Sequence, residues 1–570
     1  MTWSTTMLPA DCSRADLAEV TKGNLAGMSL TPRGASMRSS RQPLELAAIR
    51  IVVYIAGGCI AFALALFCLS RQNGLYGVTE YDDGVYFGAT MHLLSGQLPY
   101  RDFVFVQPPG ITILLSPLGL IGHIFGSREG IALARIVTAI IAGANAVLAA
   151  LVMRHRGILA SGVAGLVLGV FPPAFIADRT LELEPYLVCL CLIGVACVFS
   201  GAEFASNKRI IWGGVFFGLA GTVKSFAILP VFVLAILLFA RKRQVLFPFV
   251  VAALAGFVIP CLPFFIAAPH GFIHDVITSQ LGRQTLRRAS LPTRLAAIVG
   301  LADAARSIHI STTSSLPAII AAFVGAIVLF GSILPSILHK GSTFEWFCLG
   351  STVAAIAAIL IAAPFYNHYT YFSAVFLALV LAHVAWRCAA ALRARGFDDR
   401  TEAQRRVFSG AVAAAVLACI VCVAALITST SKFDAEVMDH FGDPGPTIAS
   451  VIPAGSCAVT DAYSLLVSAN RISPTDPKCP VIVDATGTWL SYSPDDPPLP
   501  CGCGPKDPSL VAAWKGWLSQ ATYAVFAGAR SFRIPWTPAL RSWFRANYTQ
   551  SSKTTLPIYV NIHRVPAGQR

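Results

Sequence analysis

Apolar residues run along this chain in long blocks broken by short polar turns, and the spacing of those blocks sets its plan. A helix needs about 20 apolar residues to cross a bilayer. Blocks of that order fall at 49–70, 129–152, 158–175, 185–201, 210–223, 225–240, 246–267, 315–337, 345–363, 370–386 and 408–428, the two between 210 and 240 being short. The pattern predicts about eleven transmembrane helices. Residues 109–125 are also apolar, but Pro117 and several glycines interrupt them, so an interfacial helix on the outer leaflet is expected there. From about 430 the apolar runs shorten and Pro, Asp, Ser and Gly rise. Short buried strands are expected at 457–460, 481–484 and 523–527, and amphipathic helices at 510–520 and 538–547. Roughly 140 residues of this kind can enclose a core of their own.

The polar turns carry a charge bias. Arg154 and Arg156, Lys208 and Arg209, Arg241 to Arg243, Lys340 and the basic stretch from Arg387 to Arg406 fall in alternate loops, which the positive-inside rule places in the cytoplasm. The loops between them, with everything after 428, then lie outside. A span at 109–125 would swap the side of every later loop, and the charge pattern rejects it. Residues 268–312 break the rule, with Arg283, Arg287, Arg288, Arg294 and Arg306 on the outer side. Residues 1–45 are polar with no long apolar run and no cleavage-site pattern, which predicts a disordered cytoplasmic tail and an uncleaved first span.

Composition agrees with a membrane protein. The 570 residues are 55% hydrophobic and only 13% charged, against roughly 25% charged in soluble domains; the mean hydropathy is +0.66. The net charge of +14 follows from the basic loops and does not point to nucleic acid. Of the 15 cysteines, Cys457, Cys479, Cys501 and Cys503 lie after 428. An oxidising compartment allows disulfides among them in three connectivities, with Cys457 to Cys479 preferred because each flanks an expected strand. Cys501-Gly-Cys503 is too tight for a zinc finger, and no histidine pattern accompanies it.

The polar chemistry concentrates in Tyr81 to Gly110, which carries the adjacent carboxylates Asp82 and Asp83, the Arg101-Asp102 pair and the Pro108-Pro109-Gly110 break. A carboxylate there can cap a helix. It can also take a proton from an attacking hydroxyl, and a second carboxylate beside it raises its pKa toward usefulness. Arg283 and Arg287, four apart, share one helical face and suit phosphate oxygens, whether of a ligand or of anionic lipid head groups. Trp514, Trp517, Trp536 and Trp543 could stack on a sugar, with core packing the more ordinary role. Asp461 and Asp484 stand at strand ends, where aspartate commonly forms turns.

Tyr-Asp-Asp-Gly with the leucine-bearing helix after it, then Leu-Pro-Tyr-Arg-Asp-Phe and Gln-Pro-Pro-Gly, resembles the first outer loop of the GT-C glycosyltransferase superfamily. The branch it resembles contains protein O-mannosyltransferases and lipid A aminoarabinose transferases, and the likeness tracks residues 45–390. The resemblance implies that Asp82 is the catalytic base, with Asp83 where the family more often has Glu. Leu183-Glu184-Pro185 sits where these enzymes place an acid before a proline, which makes Glu184 a further catalytic candidate. Gly221-Thr222-Val223-Lys224 resembles the family's glycine and lysine at a span's end, where the lysine meets the donor phosphate; otherwise a lone lysine there simply snorkels. Asn367-His368-Tyr369 resembles a motif near the lipid phosphate. The C-terminal region is similar to the appended outer domains of actinobacterial-type members.

The expectation is therefore a polytopic α-helical membrane protein of GT-C fold with a small C-terminal extracytoplasmic α/β domain: a tail at 1–45, a transmembrane domain at 46–428 with its catalytic outer loop at 71–128, and the outer domain at 429–570. The implied activity is inverting transfer of a sugar from a polyprenyl-phosphate donor to a cell-envelope glycan, glycolipid or protein acceptor. It needs no cofactor and no metal, and its partners are that donor, the acceptor and membrane lipids. No glycine-rich nucleotide loop is present. The alternatives are a lipid or solute transporter, which would place acids near the midplane in two related halves, and a non-catalytic scaffold binding cell-wall polymer.

Overall fold

The computed structural model describes residues 41–283, 289–302, 341–394, 402–493, 506–528 and 531–565, with scattered positions between 320 and 337. Two units are distinguished, 1–49 and 50–570. Only 41–49 of the first is described, as the opening turns of helix α1 (Arg41–Ser70). Residues 1–40 of the expected tail, Arg287, Arg288, Arg306, Cys501, Cys503 and most of the expected span 315–337 lie outside the described residues, while 41–45, expected as part of the disordered tail, are helical.

The membrane part is a helical bundle. After α1 come α2 (Tyr81–Leu94), α3 (Gly110–Phe125), α4 (Ser127–Val152), α5 (Ile158–Gly169), α6 (Pro172–Arg179), α7 (Leu183–Val198), α8 (Asn207–Val223), α9 (Ile228–Arg241) and α10 (Leu246–Ala267). Short helices α11 (Pro269–Ile273), α12 (Ser279–Gly282) and α13 (Leu291–Ile298) follow. Then come the long helices α14 (Thr343–Ile361), α15 (Tyr369–Ala394) and α16 (Glu402–Phe441). Among the described residues, six helices are long and apolar enough to cross a membrane, or seven if a bent pair counts as one span. That pair replaces the expected single span 158–175: α5 and α6 meet at 64°. The cause is Pro172-Pro173, which lack the donors to continue α5 but suit the first turn of a new helix. The expected span 185–201 is also trimmed, since α7 gives way at Phe199 to a small hairpin of β1 (Phe199–Ser200) and β2 (Glu203–Phe204). At 109–125 the expected helix is present as α3.

The two ends of the bundle differ in charge. At one end Arg156 and Arg387 both pair with Glu345, whose carboxylate closes a capping box at the start of α14. Arg241 donates to Thr343, and Lys242 to the Ala205 carbonyl. The loops at the other end hold α2, α11, α12, the 364–368 turn and the C-terminal region. Helix α16 runs straight through the expected boundary at 428. Its 40 residues span about 60 Å, twice a hydrocarbon core of about 30 Å. The surplus brings Asp434 onto Arg179 of α6 in a buried ion pair.

The C-terminal region holds α17 (Gly445–Val451), α18 (Ser464–Ser468), α19 (Ala485–Tyr492), α20 (Pro508–Gln520) and α21 (Pro538–Asn547) around a four-stranded sheet. Strands β3 (Ala458–Thr460), β4 (Tyr523–Val525), β5 (Tyr548–Gln550) and β6 (Ile558–Asn561) lie in the order β3-β4-β6-β5, with β3 parallel to β4 and the other pairs antiparallel. The expected strand at 481–484 does not form. Pro480 removes a donor just before it, and Asp484 instead caps α19 by accepting from the Gly487 N–H at 2.7 Å. Trp489 and Trp514 fill the core on one face of the sheet. Cys457 and Cys479 form a disulfide, as expected.

Candidate active site

Helix α2 carries Tyr81, Asp82 and Asp83 in its first turn, where the helix dipole favours carboxylates. Successive helical residues point about 100° apart, so the two acids face different surroundings. Asp83 is fully buried. Arg135 of α4 donates to its Oδ2 from Nε at 2.9 Å and from Nη2 at 2.5 Å, and the Leu181 N–H donates to Oδ1 at 2.6 Å. Arg135 also donates to the Leu75 and Gly77 carbonyls. Asp83 therefore has no oxygen facing an open site, and it ties α2 to α4 and to the turn before α7. Asp82 is half-buried, and among the described residues its carboxylate accepts a hydrogen bond from the Tyr86 hydroxyl alone, at 3.3 Å.

Around Asp82 lie Asp484, Arg283 and Lys224. Burial first, and then the neighbouring Asp484 carboxylate, push the Asp82 pKa up to about 6; Arg283, Lys224 and the Tyr86 hydroxyl pull the other way. Glu80, one residue before α2, is raised to about 7 by burial and by Asp82 and Asp83. Asp484 arrives from the C-terminal region and accepts from the Tyr81 hydroxyl at 2.8 Å, while that hydroxyl accepts from the Thr486 N–H at 2.9 Å. Arg533 lies over the Tyr81 ring at 4.2 Å and pairs with Asp461 at 3.6 Å.

The approach of the C-terminal region depends on two glycines of α2. A Cβ on Gly84 would lie 2.0 Å from the Ser464 nitrogen, and one on Gly88 would lie 2.4 Å from the Tyr463 ring. One turn further on, His92 bonds to the Tyr463 hydroxyl through Nε2 and to Gln97 through Nδ1.

The remaining sequence candidates cluster on the far side of Asp82. Lys224, at the C-terminus of α8, donates to Glu184 in the first turn of α7, and its Nζ lies 3.8 Å from the Tyr369 ring centroid. His368 stacks on Tyr366 and lies 3.6 Å from Glu182. Arg283 is buried, donates to Gln280 at 3.2 Å, and faces Tyr366, Tyr369 and Asp82. Asp82, Glu184, Lys224, Arg283, His368 and Tyr369 thus share one recess, whereas Arg294 does not join it. Arg294 donates to the Ile359, Ala362 and Ala363 carbonyls at the end of α14 and so caps that helix. Glu182, Glu184 and His368 offer ligand atoms within 4.8 Å of one another, a group able to hold a metal ion, although Lys224 already takes one oxygen of Glu184.

Sequence reasoning did not single out Glu182 or Arg135, and it gave Asp484 only a turn-forming role. Glu182 carried a signal, as an acid at the N-cap of α7 two residues before Glu184 in its first turn. Asp484 carried one too, since Asp-Ala-Thr-Gly is a helix-start pattern. Nothing local marks Arg135, which sits in the middle of an apolar helix; an intramembrane arginine is itself a reason to seek a partner.

The bundle, the bent α5–α6 pair and the appended α/β region make this a multi-pass membrane protein of the GT-C fold. Apo ArnT from Cupriavidus metallidurans matches with a TM-score of 0.50 at 13% identity, over 92% of this chain and 98% of that one. ArnT from the same organism bound to undecaprenyl phosphate gives 0.49 at 14% over the same shares. The Archaeoglobus fulgidus oligosaccharyltransferase in the apo form gives 0.48 at 14%, over 75% of this chain and 64% of that one. Within the chain, residues 105–364 match the model of glycosyltransferase family 87. No curated protein sequence matches.

Proposed function

We propose that the chain transfers a sugar from a polyprenyl-phosphate donor to an acceptor hydroxyl outside the cytoplasm, in a single displacement with inversion. The observation that carries this reading is the division of labour in α2: Asp83 is held by Arg135, while Asp82 stands half-buried beside Lys224 and Arg283. As the acceptor oxygen attacks the anomeric carbon, its proton passes to the Asp82 carboxylate. The bond from that carbon to the phosphate oxygen breaks, and its electron pair leaves with polyprenyl phosphate. Lys224 and Arg283 offset the charge that grows on the leaving oxygens, with Tyr369 beside them. Glu184 holds Lys224 in place, and His368 and Glu182 line the same wall. Two cations meet the charge demand, so the scheme requires neither cofactor nor metal. The fold shared with ArnT, a protein crystallised with undecaprenyl phosphate, supports a lipid-linked donor.

The test is transfer from polyprenyl-phosphate sugars by purified protein, with donor affinity measured in parallel. Asp82→Asn keeps the side chain's size but cannot take the proton, and turnover should fall by about 10² to 10⁴ with donor binding nearly unchanged. Lys224→Ala should weaken donor binding as well as turnover. Near-normal turnover in Asp82→Asn removes it as the base. Activity lost in chelator and restored by a divalent ion would place a cation on Glu182, Glu184 and His368.

A further inference from the structure

Beside the recess runs a cleft of about 1410 Å³, walled by the 96–104 turn, the segment from His270 to Thr278, and, from the C-terminal region, the stretch from Pro477 to Tyr492 with Trp517 and Gln520. This is larger than the roughly 300–1,000 Å³ of a site for one small molecule. Two elements connect its wall to the recess. Thr488 lies in the cleft, and its N–H donates to the Asp484 carbonyl at 2.8 Å, so one turn of α19 separates cleft from recess. Asp275 also lines the cleft, eight residues before Arg283 on a continuous helical path, a distance of about 12 Å.

The lining has a definite chemistry. Trp517 is half-buried and Tyr492 exposed, and both line the cleft. Between them stand hydroxyl, amide and imidazole groups: Ser491, Gln520 and His274. Asp275 is already engaged, accepting from the Phe105 N–H at 3.2 Å and from Ser491 at 3.1 Å, and Arg101 is neutralised by Asp102. Among its described residues this wall offers no free lysine or arginine for a polyanion, and aromatic and polar groups interrupt its aliphatic side chains. Flat aromatic rings beside paired donors and acceptors match the apolar faces and hydroxyl edges of sugar rings.

We propose that this cleft binds the acceptor and that the acceptor is a neutral oligosaccharide chain of several sugar units, stacked on Trp517, with its terminal hydroxyl delivered to Asp82. The proposal rests on the transferase reading and narrows its acceptor to one class. Cys479 forms part of the wall, so the disulfide to Cys457 holds that wall to strand β3.

The experiment offers wild-type protein the polyprenyl-phosphate sugar extract of its native membranes, radiolabelled, with three acceptor fractions of the same envelope: protease-treated and delipidated polysaccharide, total lipid, and protein. Label should enter the polysaccharide. Trp517→Ala should raise the polysaccharide KM by about 3- to 10-fold while leaving donor KM and Tm unchanged, and Trp517→Phe should recover most of that loss. Because Trp517 also touches the buried Trp514, at 5.5 Å between ring centroids, Gln520→Trp at the exposed rim provides an independent obstruction and should raise the same KM. Transfer to lipid or protein, or polysaccharide transfer with a KM indifferent to both positions, overturns the cleft assignment and leaves the transferase standing. Absence of transfer to all three fractions overturns the transferase reading itself.

Discussion

Asp82 and Asp83 are chemically identical neighbours, and their surroundings alone separate them. Removing one partner of the buried Asp83–Arg135 pair leaves an uncompensated charge, so Asp83→Asn and Arg135→Ala should each lower stability by roughly 3–5 kcal/mol. Asp82→Asn should change Tm little; thermal unfolding of the three variants in one detergent decides it. The pH dependence belongs to the same pair of neighbours. A base must be ionised to work, and Asp82 is held at about 6, so turnover should climb as pH rises through that value. Asp484→Asn removes a like charge while keeping an oxygen for the Tyr81 hydroxyl, so the acid limb of the pH–rate profile should move to lower pH. An unmoved limb would separate Asp484 from Asp82. The doubled aspartate was legible in the sequence because adjacent acids stand out among apolar blocks. Asp484 was read as a turn former, since a local pattern cannot show which distant hydroxyl a cap residue will meet.

At the scale of elements, the junction between α2 and α18 relies on the absence of two side chains. A methyl at Gly84 would meet backbone, which has little room to give. Gly84→Ala should therefore loosen the C-terminal region, costing about 1–3 kcal/mol, visible as faster protease cleavage after 441 while the membrane helices stay protected. Unchanged cleavage would show that the junction tolerates a side chain there. Helix positions were largely legible, because a 20-residue apolar block has few alternatives in a bilayer. The break at Val170 was not read although Pro172-Pro173 announced it, and β5 and β6 were missed because strands of three and four residues carry almost no periodicity.

For the whole molecule, the expected topology turns the end bearing Arg156, Arg241, Lys242 and Arg387 inward, and the Asp82 loop and the C-terminal region meet at the other end. Cysteines at Ser95→Cys and Lys515→Cys should both react with an impermeant maleimide added from outside, and Arg241→Cys should not; the reverse pattern would turn the molecule over. The order of synthesis gives the contact between Tyr81 and Asp484 a further meaning. The two residues are 403 positions apart, one near the start of the chain and one near its end. A nascent chain therefore has Asp82, Lys224 and its bundle long before it has the carboxylate beside them or the wall of the cleft. Chains cut short between α15 and α19 hold every other residue of the recess but lack this edge of it, so on the proposed reading competence arrives late, and only in molecules that have been made almost to the end.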